Sequence, residues 1–174
     1  TKRLLRNRTS RSFAIGIPRE SSSDERRISL TPGGVKVLVN NGHEVVVESK
    51  AGIDANFEDV DYSEAGATIA SSAHEVYKRS EIICKIASPT EKEIDFLQTD
   101  QILISAIHLG STSHTFYHNL LKKRINALGF EFIKSADGVF PIVRMMHEIT
   151  GTMAVQIAAH YLESNKKGQG KLLG

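Results

Sequence analysis

The first clear pattern of apolar and polar positions lies near the amino terminus. It predicts a strand, a helix and a second strand. The apolar run 13–17 (FAIGI) ends at Pro18, which cannot donate a hydrogen bond into a sheet. Thr31 followed by Pro32 predicts a helix start, because a hydroxyl caps the first turn and proline suits its first position. The β-branched run 45–47 predicts a strand covered on both faces. Together these elements form a βαβ unit.

The same alternation of apolar strands and helices of about ten residues continues along the chain. Further strands are predicted near 67–69, 80–88, 101–107 and 125–130. Thr90 and the run Ser111-Thr112-Ser113 are predicted to begin two of the intervening helices. The pattern predicts an α/β fold with a Rossmann-like (flavodoxin-like), doubly wound, mainly parallel sheet. Charged residues in the loop after the first strand would lie at the carboxyl edge of that sheet, where such folds bind ligands.

The last predicted element is a long helix over 145–163, in which methionine and aliphatic residues recur near four-residue spacing. The run 168–174 (GQGKLLG) follows it. Its glycines have the wrong spacing for a phosphate-binding turn, and no helix follows them. We therefore interpret this run as a linker.

Composition narrows the class of protein. The chain of 174 residues has a net charge of +2, yet residues 1–12 alone carry +5, so the remainder carries −3. This distribution leaves no basic face that would indicate a nucleic-acid partner, and no apolar run predicts a membrane span. Cys84 is the one cysteine and is interpreted as a small core residue. A single thiol fits a reducing compartment, so a cytoplasmic location is expected.

A set of motifs, taken together, resembles the amino-terminal part of alanine dehydrogenases. The α subunit of nicotinamide nucleotide transhydrogenase shares this module. The motifs are RE at 19–20, RISLTP at 27–32, GHEV at 42–45, AGATI at 65–69, EIICKIASP at 81–89, QILISAIHL at 101–109 and EITGTMAVQIAAHYLE at 148–163. The resemblance extends over nearly the whole chain from Phe13, and the combination is far more specific than any single motif.

The resemblance implies four regions and an activity. The regions are a basic arm at 1–12, a substrate-binding α/β domain at 13–140, a linker helix at 141–167 and, at 168–174, the truncated entry to an absent NAD-binding Rossmann domain. The implied enzyme is a homo-oligomer that converts L-alanine, NAD and water into pyruvate, ammonia and NADH. NAD would be bound mainly by the missing domain. The fragment alone is therefore expected to be inactive.

Arg27 and His108 are the two main candidate site residues. Arg27 matches the family arginine that holds the substrate carboxylate, and a planar guanidinium can grip a carboxylate through two parallel hydrogen bonds. His108 matches the family's acid/base histidine, and imidazole titrates near neutral pH. Without the resemblance, a loop arginine is more often surface charge and a lone histidine is more often structural.

Three further positions carry weaker expectations. Many alanine dehydrogenases have K-x-K-x-P where this chain has Lys85-Ile86-Ala87-Ser88-Pro89, so Ala87 replaces the lysine that meets the substrate carbonyl. Lys85 lies on the same strand face as Ala87 and is a weak candidate to reach the substrate. Met146 matches a methionine that lines the substrate pocket, although methionines at helical spacing more often fill a core.

No metal site is expected, and two other functions stay open. His147-Glu148 lacks the second histidine of a zinc motif, and His114 with His118 lacks a third ligand. A transhydrogenase-like domain is one alternative, which retention of His108 disfavours. A non-catalytic binding or oligomerisation module of the same fold is the other, and Ala87 favours it.

Overall fold

The computed structural model describes residues 11–22, 24–110 and 113–172, so most of the predicted basic arm lies outside the described residues. The chain divides into two compact units, the first ending at Gly129 and the second beginning at Phe130. Each unit is described by itself below. No described helix is both long enough and apolar enough to cross a membrane.

The first unit contains a parallel sheet of six strands, joined by helices. The strands are β1 (Ala14–Ile17), β2 (Glu44–Glu48), β3 (Thr68–Ala70), β4 (Ile82–Cys84), β5 (Ile102–Ser105) and β6 (Asn126–Gly129). Their order is β3-β2-β1-β4-β5-β6, and each neighbouring pair is parallel. The predicted doubly wound α/β fold is confirmed. Its order is that of Rossmann folds rather than that of flavodoxin.

Helices connect the strands of the sheet. They are α1 (Pro32–Asn40), α2 (Asp59–Glu64), α3 (Ala73–Arg79), α4 (Glu91–Phe96) and α5 (His114–Lys122). Among them, α1, α4 and α5 begin at polar caps that the sequence predicts. Thr31 accepts a hydrogen bond from the backbone N–H of Gly34, as predicted for α1. Thr90 and Glu93 cap α4 reciprocally, which satisfies two backbone donors of its first turn. The cap of α5 is Ser113, the last residue of the predicted run; the other two residues of that run lie outside the described residues.

The sheet has a core on each face. Val45 and Val47 pack with Ile17 and Val35, whereas Val46 packs with a second cluster on the opposite face. All three valines of β2 are at most 1% exposed. Because successive side chains of a strand point to opposite faces, the continuous valine run requires cover on both sides. The prediction from residues 45–47 is therefore confirmed.

The second unit is dominated by the helix α6 (Pro141–Leu162). The predicted helix is confirmed. It starts at Pro141, the first residue of the expected linker region and four residues before the periodic pattern over 145–163, because proline suits the first helical position. Several of its apolar side chains are exposed, including Met145 and Ile149. The regularly spaced apolar residues that predicted the helix are therefore not buried against other described residues of this chain.

A buried ionic cluster lies where β4 ends. The Lys85 ammonium is fully buried and contacts Glu93 at 2.7 Å and Glu20 at 3.1 Å. The Glu20 carboxylate also accepts hydrogen bonds from the backbone N–H groups of Ile86 and Ala87, at 2.6 and 3.3 Å. Since Glu20 follows β1 and Glu93 lies in α4, the cluster ties three elements together. An unpaired ammonium at this depth would be strongly destabilising.

Close packing between β1 and α3 gives a test of the fold. A Cβ added to Gly16 would lie 2.5 Å from the Ser80 hydroxyl oxygen and 2.8 Å from a Val76 methyl carbon. We expect Gly16→Ala to lower the free energy of unfolding by about 1 to 3 kcal/mol, because a full core does not accept extra volume. Gly33→Ala is the control, since its added Cβ meets nothing nearer than 3.8 Å. Equal urea midpoints for the two variants would contradict this packing.

The ionic cluster gives a prediction about acid stability. Burial alone would raise the pKa of Glu93, but the Lys85 ammonium and hydrogen bonds from Thr90 outweigh it and lower that pKa. The stabilisation is complete above the unfolded-state pKa of about 4.3 and is lost as pH falls through the lower folded value. Glu93→Gln should therefore cost about 1 to 3 kcal/mol at pH 7 and flatten the loss of stability below pH 4.5.

Glu91→Gln is the matched control, because Glu91 lies in the same helical turn but is exposed. Urea unfolding at a series of pH values measures both variants. If Glu93→Gln and Glu91→Gln lose stability in parallel with the unsubstituted chain on acidification, the cluster is not the acid-sensitive element.

Candidate functional site

The sheet topology places three loops of interest at one edge. The chain runs from β1 to β2 on one side and later returns to β4 on the other side of β1, so the order reverses between β1 and β4. Ligands of open parallel sheets bind at such a reversal, outside the carboxyl ends of the strands. The loop bearing Arg27 follows β1, Lys85 follows β4, and His108 comes three residues after β5 ends at Ser105.

Hydrogen bonds join the loop after β1 to the end of β4 at two positions along the loop. Glu20 accepts the backbone hydrogens of Ile86 and Ala87, and the Ser29 hydroxyl donates to the Cys84 carbonyl at 3.0 Å. Both anchors flank Arg27 along the chain. The loop is therefore held against the strand end on either side of the arginine.

The residues after β4 are in turn bonded to those after β5. The backbone N–H of Ala106 donates to the Ile86 carbonyl at 3.2 Å, and the Ser88 hydroxyl donates to the Ala106 carbonyl at 2.5 Å. Ala106 lies two residues before His108. A continuous path of hydrogen bonds thus joins the arginine loop, the end of β4 and the segment that carries the histidine.

His108 has an unusual backbone conformation. Its φ is +49°, in the left-handed region, and its side chain is exposed beside the buried Ile107. Non-glycine residues adopt this region uncommonly, and histidine is among the residue types enriched there. This conformation does not by itself mark His108 as a site residue, because it is shared by Lys50, Asn56, Asp100, Arg124 and Lys167.

Arg27 is paired with a carboxylate two residues earlier. Its Nε donates to one oxygen of Glu25 at 2.8 Å, and its Nη2 donates to the other at 2.6 Å. The Glu25 hydrogen bonds and charge hold the pKa of Arg27 above its ordinary value, while the Arg27 guanidinium lowers the pKa of Glu25. The predicted carboxylate clamp is thus already joined to one carboxylate along one edge of its guanidinium.

Lys85 and Ala87, which stand where many alanine dehydrogenases have two lysines, differ in their surroundings. The ammonium of Lys85 is enclosed by Glu20 and Glu93, whereas Ala87 is half-buried and presents a methyl group. These contacts assign a structural role to the Lys85 ammonium. Its predicted contact with substrate stays a prediction.

Met146 lies in the second unit. It is half-buried on α6, two residues from each member of an ion pair between Arg144 and Glu148 at 2.8 Å. Its predicted place in the substrate pocket stays a prediction. The first unit alone carries Arg27, Lys85 and His108.

Neither a thiol nucleophile nor a metal site emerges from the described residues. Burial raises the pKa of the Cys84 thiol to about 11, so the thiol is protonated at neutral pH. Within residues 11–22, 24–110 and 113–172, no group of three or more His, Cys, Asp or Glu side chains could hold a metal ion.

The glycine-rich run does not fit a dinucleotide over the part that the structure describes, residues 168–172. The backbone N–H of Gly168 donates to the Glu163 carbonyl at 3.0 Å, and that of Gly170 donates to the Leu162 carbonyl at 2.9 Å. A phosphate-binding turn needs its backbone donors directed at the ligand. Here they satisfy carbonyl groups at the end of α6.

Sequence reasoning missed the three acids that organise this edge, namely Glu20, Glu25 and Glu93. Lys85 gave a usable signal, because a lysine inside the apolar run IICKI must have a charged partner if the strand is buried. The sequence alone does not identify that partner among many acids. Glu93 lies in the first turn of α4, where an acid commonly favours the helix dipole, so its position in the sequence does not identify it as the partner of Lys85.

The sequence of the chain matches a known protein family. The family described as alanine dehydrogenase/PNT, N-terminal domain, matches residues 16–150. Alanine dehydrogenases of Staphylococcus saprophyticus and Methanococcus maripaludis are 38% and 37% identical over 160 residues, which are 92% of this chain and 43% of each relative. The chain therefore spans less than half the length of these relatives.

Solved structures agree with this result. An L-alanine dehydrogenase superposes with a TM-score of 0.87 at 35% identity, over 92% of this chain and 44% of that protein. A transhydrogenase from Sinorhizobium meliloti has a TM-score of 0.63 at 24% identity, over 68% of this chain and 33% of that one, and shows the fold alone. The chain belongs to the family of alanine dehydrogenase and PNT N-terminal domains.

Proposed function

We propose that this chain is the substrate-binding domain of an NAD-dependent alanine dehydrogenase. The reaction converts L-alanine, NAD and water into pyruvate, ammonia and NADH. The observation that carries the proposal is the hydrogen-bonded path from the Arg27 loop through the end of β4 to the segment bearing His108. Arg27 and His108 are the residues expected to bind a carboxylate and to transfer a proton. This path supports the proposal because their loops follow β1 and β5, the two neighbours of β4, at one edge of the sheet.

The two side chains have distinct roles in this proposal. The Arg27 guanidinium binds the carboxylate that alanine and pyruvate share, and so fixes the orientation of the reacting carbon. His108 accepts a proton from the amine or carbinolamine in one direction and returns it in the other. NAD accepts the hydride when it is bound, and we propose that residues outside this chain bind it.

The remaining features of the proposed protein follow from the resemblance. We propose a substrate domain at 13–140 and a linker helix at 141–167, with Met146 lining the pocket, in a cytoplasmic homo-oligomer. Single-cysteine usage supports the reducing compartment. The exposed apolar side chains of α6 support a role for that helix in contacts with other domains or copies.

A non-catalytic module of the same fold is the second candidate, and Ala87 is the observation that favours it. The half-buried methyl group offers no charge to a substrate carbonyl, and the neighbouring Lys85 ammonium is enclosed. Such a module would keep the architecture and the anchored loop without turnover. A transhydrogenase-like domain is supported by fold similarity alone.

Arg27→Ala tests the proposed carboxylate clamp. In the protein at its full natural length, we expect this change to weaken pyruvate binding by about 2 to 3 kcal/mol, because a charge-assisted pair is lost. This corresponds to roughly 30- to 160-fold in Kd, measured by calorimetry. Arg26→Ala is the matched control, since it removes the same charge from an adjacent exposed position. Equal affinity of the two variants for pyruvate would show that Arg27 does not bind the substrate carboxylate.

Ala87→Lys separates the catalytic proposal from the non-catalytic one. If the pocket otherwise suits alanine, an ammonium at this position should raise kcat for alanine oxidation about ten-fold or more, because it would stabilise the oxygen of the carbinolamine as it becomes the carbonyl of pyruvate. Thr99→Lys adds the same charge before β5, at the opposite edge of the sheet, and should leave kcat unchanged. A steady-state assay in which Ala87→Lys gains nothing would indicate a pocket built for another ligand.

A further inference from the structure

We propose that Glu25 is a positioning residue that orients Arg27 for binding a substrate carboxylate. Glu25 holds the edge of the guanidinium formed by Nε and Nη2, which leaves the edge formed by Nη1 and Nη2 to the ligand. The proposal rests on the proposed function, because it assumes that Arg27 binds the carboxylate.

Glu25 and Arg27 form a bidentate pair, which we call the Glu25–Arg27 fork. The two oxygens of Glu25 accept hydrogens from Nε at 2.8 Å and Nη2 at 2.6 Å, and one of them also accepts the backbone N–H of Arg27 at 2.9 Å. Three bonds to one carboxylate restrict both the backbone and the side chain of the arginine. An arginine side chain that is not held in this way has many accessible rotamers, and a ligand that binds it must offset the entropy lost when they are reduced to one.

The exposed fractions of the two side chains show which of them is held by the surrounding protein. The Glu25 side chain is 15% exposed, whereas the Arg27 side chain is 54% exposed. The acid therefore forms the fixed base of the pair, and the guanidinium extends from it toward solvent. Glu20 and Ser29 anchor the same loop on either side, so the base itself is held.

The donor inventory leaves a complete second edge for a ligand. A guanidinium has five N–H groups in one plane, and Glu25 takes one from Nε and one from Nη2. The second hydrogen of Nη2 and one of Nη1 form an edge with the spacing that a carboxylate accepts. A ligand can therefore bind without displacing Glu25, whose position only two residues away gives it a high effective concentration.

A purely electrostatic role for Glu25 and a positioning role predict opposite changes in ligand affinity, so the proposal can be tested. Glu25 is an anion close to the proposed site of another anion, so removing its charge should tighten ligand binding through weaker repulsion. Positioning requires that removal weakens binding, because the freed guanidinium must be ordered by the ligand. The sign of the change separates the two mechanisms.

The experiment compares Glu25→Gln with Asp24→Asn in the protein at its full natural length. Asp24 is an exposed acid in the same loop, so Asp24→Asn removes the same charge without touching the fork. We expect Glu25→Gln to raise the KM and Kd of pyruvate about five-fold, the size of ordering one long side chain, with the KM for NADH unchanged. Asp24→Asn should leave pyruvate affinity unchanged or slightly tighter. Glu25→Asp, which restores the charge at a shorter reach, should recover part of the loss.

A double-mutant cycle completes the test. In the Arg27→Ala background, Glu25→Gln should cause no further loss of pyruvate affinity, because it acts only through the arginine. If Arg27→Ala weakens binding but Glu25→Gln tightens it or leaves it unchanged, the positioning role is overturned and the carboxylate clamp stands. If Arg27→Ala itself has no effect, the clamp fails and the role of Glu25 fails with it. Thermal unfolding of each variant shows whether the loop remains folded, and Glu25→Asp supplies the comparison if Glu25→Gln does not.

Discussion

The enclosed ammonium of Lys85 is the constraint on which the arrangement of this edge depends. A lysine without solvent contact must find anionic partners, since desolvating one charge costs several kcal/mol. Glu93 supplies one partner from α4, and Glu20 supplies the other from the loop after β1. Because the two acids come from different elements, satisfying one buried charge fixes the strand end, a helix and a loop relative to one another.

The position of the candidate ligand site follows from that constraint. Glu20 has four acceptor directions, and it uses them on Lys85 and on the backbone of Ile86 and Ala87. The loop therefore cannot move away from β4 without exposing a buried charge and two backbone donors. Arg27 lies on this loop between the Glu20 and Ser29 anchors, and Glu25 narrows its orientation further. Each contact reduces the freedom left to the guanidinium.

The sequence predicted the architecture well and the polar contacts poorly, for a physical reason. Strands, caps and the two-sided cover of β2 are encoded locally, in the valine run and in Thr31 and Thr90, so short patterns reveal them. The partners of Lys85 are 65 residues upstream and 8 downstream, separations at which no local periodicity operates. The pairing of Glu25 with Arg27 is close in sequence, but acids and arginines are common in loops, so proximity alone does not predict a fork.

The charge balance at this edge explains why geometry, rather than attraction, must select an anionic ligand. Lys85 with Glu20 and Glu93 carries one positive and two negative charges, and Arg27 with Glu25 is neutral. Arg19 and Arg26 on the same loop offset the remaining acid of that cluster and Asp24, so the surroundings of the proposed clamp carry little net charge and exert no strong long-range attraction on a carboxylate. Affinity must then come from short, directional hydrogen bonds, whose strength falls steeply with misalignment. A guanidinium held in one orientation meets that requirement, whereas a mobile one with the same charge does not.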